Sequence, residues 1–438
     1  DMQDAVMDLL LYGEMTQEEV LWRMGGIIQD WKSGEATKQQ LVHRAYRVVK
    51  QLLDLGTTYG FDENLWQDYL TFYLITNENS FSLTCERTKP QSGSINALVK
   101  ADLEVFRQLY HYDFSALEQA LGITCLTEIT HYHAIGKREQ VYHKTVSSRV
   151  RRLSRALAAA KNAEEMFDLL TQYYQEEGVG IFGLYRAFHV EEGPEGVQFL
   201  PVSNAGQNRL SDLVGYESQK QQLRENTEAF LAGRTANNVL LYGDSGTGKS
   251  SSVKALMNEY GDQGMRLIEI YKHQFRLLSP LIAKLKKRNY RFIIYMDDLS
   301  FEADEVEYKF LKAVMEGGVE TKPDNILLYA TSNRRHLIKE TWNDRNDMEF
   351  QNEIHRSDTM EEKLSLAARF GILIGYTSPN RKEFYDIVET LASRHPEIQL
   401  SKEELLAEAN RWELRHGGVS GRTAQQFINA LAGKAEKK

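Results

Sequence analysis

The 438-residue chain has only two cysteines, Cys85 and Cys125. They cannot build a disulfide framework, and neither belongs to a CxxC pair. They read as two buried thiols in a reducing compartment, and a cytoplasmic location is expected. Seven prolines are too few for a Pro-rich or collagen-like chain. Long apolar runs are missing as well. The longest candidates, such as 292–296, have strand length, far short of the ~18 residues of a membrane span, so no membrane partner is expected. The start of the chain carries Asp1, Asp4, Asp8 and Glu14 and does not resemble a secretory signal. It begins at Asp1 rather than Met, which is compatible with an upstream segment. Positive charge is in deficit: 53 Lys and Arg against 62 Asp and Glu leave a net charge of −9. A general attraction for nucleic acid is therefore excluded, and any such contact must come from a local basic patch.

What is present fits a folded protein. A hydrophobic share of 42% fills sizeable cores and rules out intrinsic disorder. At about 150 residues per domain, two or three domains are expected. The first 160 residues read mainly as helix. Apolar spacing predicts helices over 39–55 (closed by Gly56), 65–75, 95–110 (with Ser94 as N-cap) and 115–121. The frequent Tyr and Trp read as helix–helix packing, with a ligand-binding aromatic cluster as the alternative. Lys144, Arg149, Arg151, Arg152, Arg155 and Lys161 form a basic stretch, read as a solvated helix face or as a contact for phosphate or an acidic partner. His131, His133 and His143 near Cys125 are a weak metal pattern, because a zinc site needs four ligands at suitable spacing. A helix over 164–174 and strands over 182–190 and 197–202, with a turn at 192–196, complete an N-terminal domain of 1–205. The polar stretch 203–208 marks its end.

Beyond it, short apolar strands alternate with helices. Strands are predicted at 239–242, 266–270, 292–296, 326–330 and 372–375, and helices at 250–260, 281–288 and 306–316, the last closed by Gly317 and Gly318. This alternation predicts an α/β fold with a parallel sheet covered by helices, over 206–376. Helices at 381–393, 402–415 and 422–431, the first two parted by Pro396, make a helical lid over 377–438.

The most specific signal is Gly243-Asp244-Ser245-Gly246-Thr247-Gly248-Lys249-Ser250, which matches G-x-x-x-x-G-K-[ST]. About one or two chains in a hundred of this length would carry that pattern by chance, given ordinary residue usage. Here it also sits between a predicted strand and a predicted helix, as phosphate binding requires. Glycines let backbone N–H groups turn toward phosphate oxygens, and the helix N-terminus adds partial positive charge. Lys249 can reach the β- and γ-phosphates of ATP, and Ser250 can ligate Mg²⁺. The apolar run 292–296 then ends in Asp297 and Asp298. Two acids at the carboxyl end of a buried strand need a cation or water to face. Asp297 fits as the Mg²⁺ partner and Asp298 as the group that polarises an attacking water.

Across 209–435 the sequence resembles the AAA+ ATPases. Asp212-Leu213-Val214-Gly215-Tyr216 resembles the segment lining the adenine pocket in that family, and 243–250 its Walker A loop. Asp297-Asp298 resembles the Walker B pair, with Asp298 in place of the commoner Glu. Replication initiators are among the members that carry Asp-Asp. Ala330-Thr331-Ser332-Asn333 resembles sensor 1, with Asn333 orienting the water or γ-phosphate. Ala368-Arg369-Phe370-Gly371 resembles the arginine-finger region, and Gly418-Val419-Ser420-Gly421-Arg422 resembles sensor 2. Arg334 and Arg335 are rival interface arginines. The wording around 331–337, the segment before Arg369 and 420–424 resemble an uncharacterised bacterial AAA+ family, domain of unknown function 815, and this likeness is expected to extend into the helical N-terminal half. The resemblance implies ATP and Mg²⁺ as cofactors. Leu213, Val214, Gly215, Gly243 through Ser250, Ser251 and Arg422 would bind nucleotide, Ser250 and Asp297 the metal, and Asp298, Asn333 and Arg369 would serve catalysis. It also implies a homo-oligomer joined through ATP-site interfaces. Three roles remain open: a remodeller or loader of a macromolecular client, a ring unfoldase, and a nucleotide-gated scaffold with slow hydrolysis. The unfoldase is disfavoured, because Tyr271-Lys272-His273-Gln274-Phe275 after the second strand lacks an aromatic–hydrophobic–Gly loop. A small-molecule kinase is disfavoured by the sensor-like and lid motifs.

Overall fold

Hydrophobic periodicity changes along the chain from helical to alternating, and the packing follows it. In the computed structural model two units separate, Asp1–Tyr185 and Arg186–Lys438. The residues described are 2–88, 92–135, 144–203, 205–302, 305–317, 323–333 and 366–435.

The first unit is helical: α1 (Met2–Met7), α2 (Val20–Ser33), α3 (Lys38–Tyr59), α4 (Leu65–Thr76), α5 (Ser80–Arg87), α6 (Ser94–Tyr110), α7 (Ser115–Leu121), α8 (Cys125–Thr130), α9 (Lys144–Ala159), α10 (Ala163–Glu176) and α11 (Ile181–Leu184). Helix α3 opens on a capping box between Thr37 and Gln40 and does not stop at Gly56. It continues to Tyr59 and ends on Gly60, whose φ of 69° suits the left-handed C-cap. Gly56 is instead a packing glycine, since a Cβ there would stand 3.0 Å from Leu65 Cδ2 of α4. Ser94, expected as a cap, is the first helical residue, and Gly93 is the N-cap. Helix α4 is apolar on nearly all sides and packs against α3, α6, α8 and α9.

The aromatic residues act as packing groups, as in the edge-on pair Trp66–Phe114, 5.2 Å apart. The basic face of α9 is largely spoken for. Arg149 pairs with Glu177 at 2.9 Å, and Arg151 and Arg155 both reach Glu63. His131 and His133 are exposed, His143 lies outside the described residues, and no group of three or more His, Cys, Asp or Glu among the described residues is placed to hold a metal. Cys85 is buried, and burial pushes its thiol up to about 12. Cys125, expected to be buried, is only half-buried.

The second unit is built on β1 (Ala187–Gly193), β2 (Gly196–Pro201), β3 (Val239–Gly243), β4 (Met265–Glu269), β5 (Arg291–Met296), β6 (Ile326–Ser332) and β7 (Ile372–Tyr376). Among the described residues they form one sheet in the order β2-β1-β4-β5-β6-β3-β7. All pairs are parallel except the β1–β2 hairpin. This is the α/β architecture expected, but its first boundary differs. Strand β1 pairs with β4, through Ala187↔Leu267 and Phe188↔Ile268, so residues assigned to the N-terminal domain belong to this sheet. The division therefore falls at 185/186 rather than 205/206. Phe182, expected to open the first strand, lies in α11.

Helices α12 (Glu217–Leu231) and α13 (Lys249–Tyr260) bury Leu223, Phe230, Val253 and Leu256 against Leu241, Ile293, Tyr295 and Tyr329 on one sheet face. The alternating residues Leu240, Ile294 and Leu328 are buried on the other. Helices α14 (Leu278–Leu285) and α15 (Glu307–Glu316) follow β4 and β5. After β7, α16 (Arg381–Ser393), α17 (Lys402–His416) and α18 (Gly421–Ala435) close on a separate small core of Phe384, Val388, Ala409, Phe427 and Ile428. No helix among the described residues is long and apolar enough to cross a membrane.

Candidate nucleotide site

The loop between β3 and α13 lies at the carboxyl end of the parallel strands, where such sheets bind ligands. Its backbone needs glycine. Gly243 has φ 130° and Gly248 φ 93°, and a Cβ on Gly243 would collide with the Tyr376 carbonyl of β7. The Asp244 N–H donates to that carbonyl at 2.9 Å, and the Asp244 carboxylate accepts from the Ser378 N–H at 2.7 Å. This bond to the Ser378 backbone holds the Asp244 carboxyl below the usual range. The loop is thus pinned to the segment that leads into the lid. Lys249 is only 5% exposed, and its ammonium donates to the carbonyls of Gly243 (3.0 Å) and Asp244 (2.6 Å). Burial lowers its pKa, opposed by the charges of Asp244, Asp298 and Asp297.

The adjacent strand ends supply the acids. Asp297 Oδ1 accepts three hydroxyls: Ser250 at 2.5 Å, Tyr295 at 2.7 Å and Thr331 at 2.7 Å. Partial desolvation opposes its ionisation, but these three bonds outweigh it and hold the carboxyl below its ordinary value. Asp298 takes a left-handed backbone, φ 50°, with its N–H on Thr331 Oγ1 at 2.9 Å. Asn333 Nδ2 donates to the Asp298 carboxylate at 3.1 Å. The parallel β5–β6 pairing sets Met296 opposite Ala330, which brings the two acids level with Thr331 and Asn333.

A cleft of about 560 Å³ joins these groups, within the range of small-molecule sites. Its walls include Leu213, Val214 and Gly215, Ser245 through Ser251, Asp297, Asp298, Asn333 and Arg422. Gly243 and Asp244 shape the loop without lining the cleft. The Arg422 N–H donates to the Gly246 carbonyl at 3.1 Å, so the start of α18 touches the loop directly. Arg369 is not among the lining residues: it pairs with Glu316 of α15 at 2.5 Å. Arg334 and Arg335 lie outside the described residues.

The sequence reading missed Tyr295 and Thr331 as donors to Asp297, and Lys220, Ile387 and Leu391 as walls. Tyr295 and Thr331 follow from strand register, but Lys220, Ile387 and Leu391 carry no sequence signal, because they reach the cleft only by tertiary packing. The donor set suits Mg²⁺. An ionised carboxylate and a hydroxyl on one side, with phosphates completing the shell, is how this hard cation binds.

A 69-residue stretch is 36% identical to the replication factor C large subunit of Staphylothermus marinus, covering 16% of this chain and 16% of that protein. The match thus spans under a fifth of either. Among solved structures, the Thermotoga maritima RuvB Holliday junction branch migration motor matches with a TM-score of 0.30 and 14% identity, over 51% of this chain and 72% of that one. The FIGL-1 AAA domain in complex with ADP matches with a TM-score of 0.33 and 17% identity, over 52% of this chain and 86% of that one. A family model described as "Protein of unknown function (DUF815)" matches residues 184–435, more than half of the chain. The match begins at 184, so the likeness expected in the N-terminal half is not part of it. The chain belongs to the DUF815 family.

Proposed function

We propose that the second unit is an AAA+ ATPase that binds ATP with Mg²⁺ and hydrolyses it to ADP and phosphate to drive work on a macromolecular client. One observation carries this reading. The phosphate-loop Lys249 and Ser250, the clamped Asp297, and the Asp298–Asn333 pair all face one cleft.

In this reading the loop N–H groups and Lys249 hold the β- and γ-phosphates, and Leu213, Val214 and Gly215 take the base. Ser250 and Asp297 would hold Mg²⁺, which neutralises phosphate charge when bound. Asp298, positioned by Asn333, polarises a water for attack on the γ-phosphorus. The bond from that phosphorus to the bridging oxygen of ADP breaks as the new bond forms. Arg422 reads occupancy from the lid. Arg369 stands outside its own chain's cleft, which supports its acting on a neighbouring copy, and hence a homo-oligomer. With Arg149, Arg151 and Arg155 engaged by Glu177 and Glu63, the basic stretch gives little support to nucleic acid.

Complementation tests the reading. Arg369→Ala is expected to bind ATP but turn it over at least a hundredfold more slowly, and Lys249→Ala to be inactive. Mixing them should restore measurable turnover, because each supplies what the other lacks. Absence of rescue removes the trans role, and normal turnover by Arg369→Ala alone removes the finger.

A further inference from the structure

The wall opposite the phosphates, residues 212–216, makes an unusual bend. Gly215 and Tyr216 follow each other in the left-handed region, with φ of 82° and 59°. Tyr216 is not glycine, and a non-glycine residue holds that conformation only where its surroundings fix it. The side chains on either side of the bend go to different places. Leu213 packs against the core under the sheet, whereas Val214 packs against the core of the lid. The bend therefore bridges the two walls of the cleft.

A buried cation sits behind it. Lys220 of α12 is 3% exposed and lines the cleft. Its ammonium donates to the Leu213 carbonyl, and to Glu217 Oε1 at 2.9 Å. Burying a lysine is unfavourable unless its charge is met by partners, and this one is met by the Glu217 carboxylate together with a backbone carbonyl of the bend. Nothing in the phosphate chemistry uses it.

We propose that Lys220 is a positioning residue for the nucleotide base. By holding the Leu213 carbonyl it fixes the backbone of Val214 and Gly215 in the shape that meets a purine, and so keeps that wall common to core and lid. This rests on the nucleotide reading above. It adds that affinity for the base, separately from affinity for the phosphates, depends on one buried ammonium. Lys220→Met keeps the volume and removes the donor, which leaves the carbonyl unpaired and frees the bend. Lys220→Arg keeps a donor.

The test is calorimetric titration of the full chain with ATP, ADP and inorganic tripolyphosphate, each with Mg²⁺. Lys220→Met is expected to weaken ATP and ADP by the same factor, at least tenfold, and to leave tripolyphosphate unchanged. Lys220→Arg should recover most of the loss. Unchanged ATP affinity in Lys220→Met overturns the proposal. So does an equal loss of tripolyphosphate, which would mean that the substitution disturbs the whole fold. If the unmodified chain binds tripolyphosphate but not ATP, the base wall is wrong while the loop stands. If it binds neither, the nucleotide reading falls and this proposal with it.

Discussion

Each unit has a carboxylate that accepts three hydrogen bonds, buried at Asp102 and open to solvent at Asp297, and the donors tell them apart as well. In the first unit Asp102, 2% exposed, accepts the backbone N–H groups of Leu10 (2.9 Å), Leu11 (2.8 Å) and Tyr12 (3.0 Å). In the second, Asp297 accepts the hydroxyls of Ser250, Tyr295 and Thr331. Amide donors are fixed in the backbone. They cannot turn away, so Asp102 is an anchor for the segment between α1 and α2. Hydroxyls rotate and also accept, so the shell of Asp297 can rearrange around an incoming cation. Three bonds to a carboxylate thus mean support in one place and, in the proposed reading, chemistry in the other, and the cleft beside Asp297 is the second sign of the difference.

Lys249→Ala should separate the units most strongly. Removing a buried cation from the proposed phosphate site should cost about 3–5 kcal/mol, so ATP affinity is expected to fall roughly a thousandfold. The chain should stay folded, because its ammonium bonds only loop carbonyls. Calorimetry with circular dichroism checks both, and retained ATP affinity would remove the phosphate-loop assignment.

Asp102→Ala should do the reverse. Three N–H groups, those of exposed Leu10, half-buried Leu11 and buried Tyr12, lose a carboxylate acceptor, at about 1 kcal/mol each on average. A loss of about 3 kcal/mol is expected in chemical denaturation of the full chain, with faster hydrogen exchange at Leu10–Tyr12 and unchanged ATP affinity. A fall in ATP affinity would break the contrast between anchor and site.

Asp298→Asn keeps the shape and the Asn333 contact but removes the proposed base. Turnover is expected to fall about a hundredfold, within the usual range for general-base loss, while ATP stays bound. Single-turnover kinetics read this directly. Normal turnover would assign the water to another group.

The two sites differed in legibility for the same physical reason. A phosphate loop is local, so its eight residues and the two acids ending an apolar run could be read directly. The hydroxyls of Tyr295 and Thr331 belong to the same motif strands, but their convergence depends on β5 lying beside β6 in one register. The β1–β2 hairpin was visible as strands, yet nothing local says that β1 pairs with β4. Gly56 reads as a stop because a glycine inside a helix resembles one until the approach of Leu65 is known. The anchor at Asp102 left no trace, since its partners lie some 90 residues away.

The smallest predicted effect returns to the first unit. Asp68 on α4 is 4% exposed, and one of its carboxylate oxygens has no hydrogen-bond partner. Burial pushes its carboxyl up to about 6, against the Ser154 hydroxyl and Arg151 of α9, which pull it down. The unfolded chain releases this proton near 3.8, whereas the native chain keeps it to about 6. Between those values the native state binds more protons, so stability falls as pH rises through that window and stays lower above it. Asp68→Asn should flatten this slope and raise stability at pH 7 by about 1–2 kcal/mol, with little change below pH 4. Denaturation of both chains at pH 4 and pH 7 decides it. A mutant that is less stable at pH 7 would mean that Asp68, like Asp102, contributes more as a charged acceptor than its burial costs.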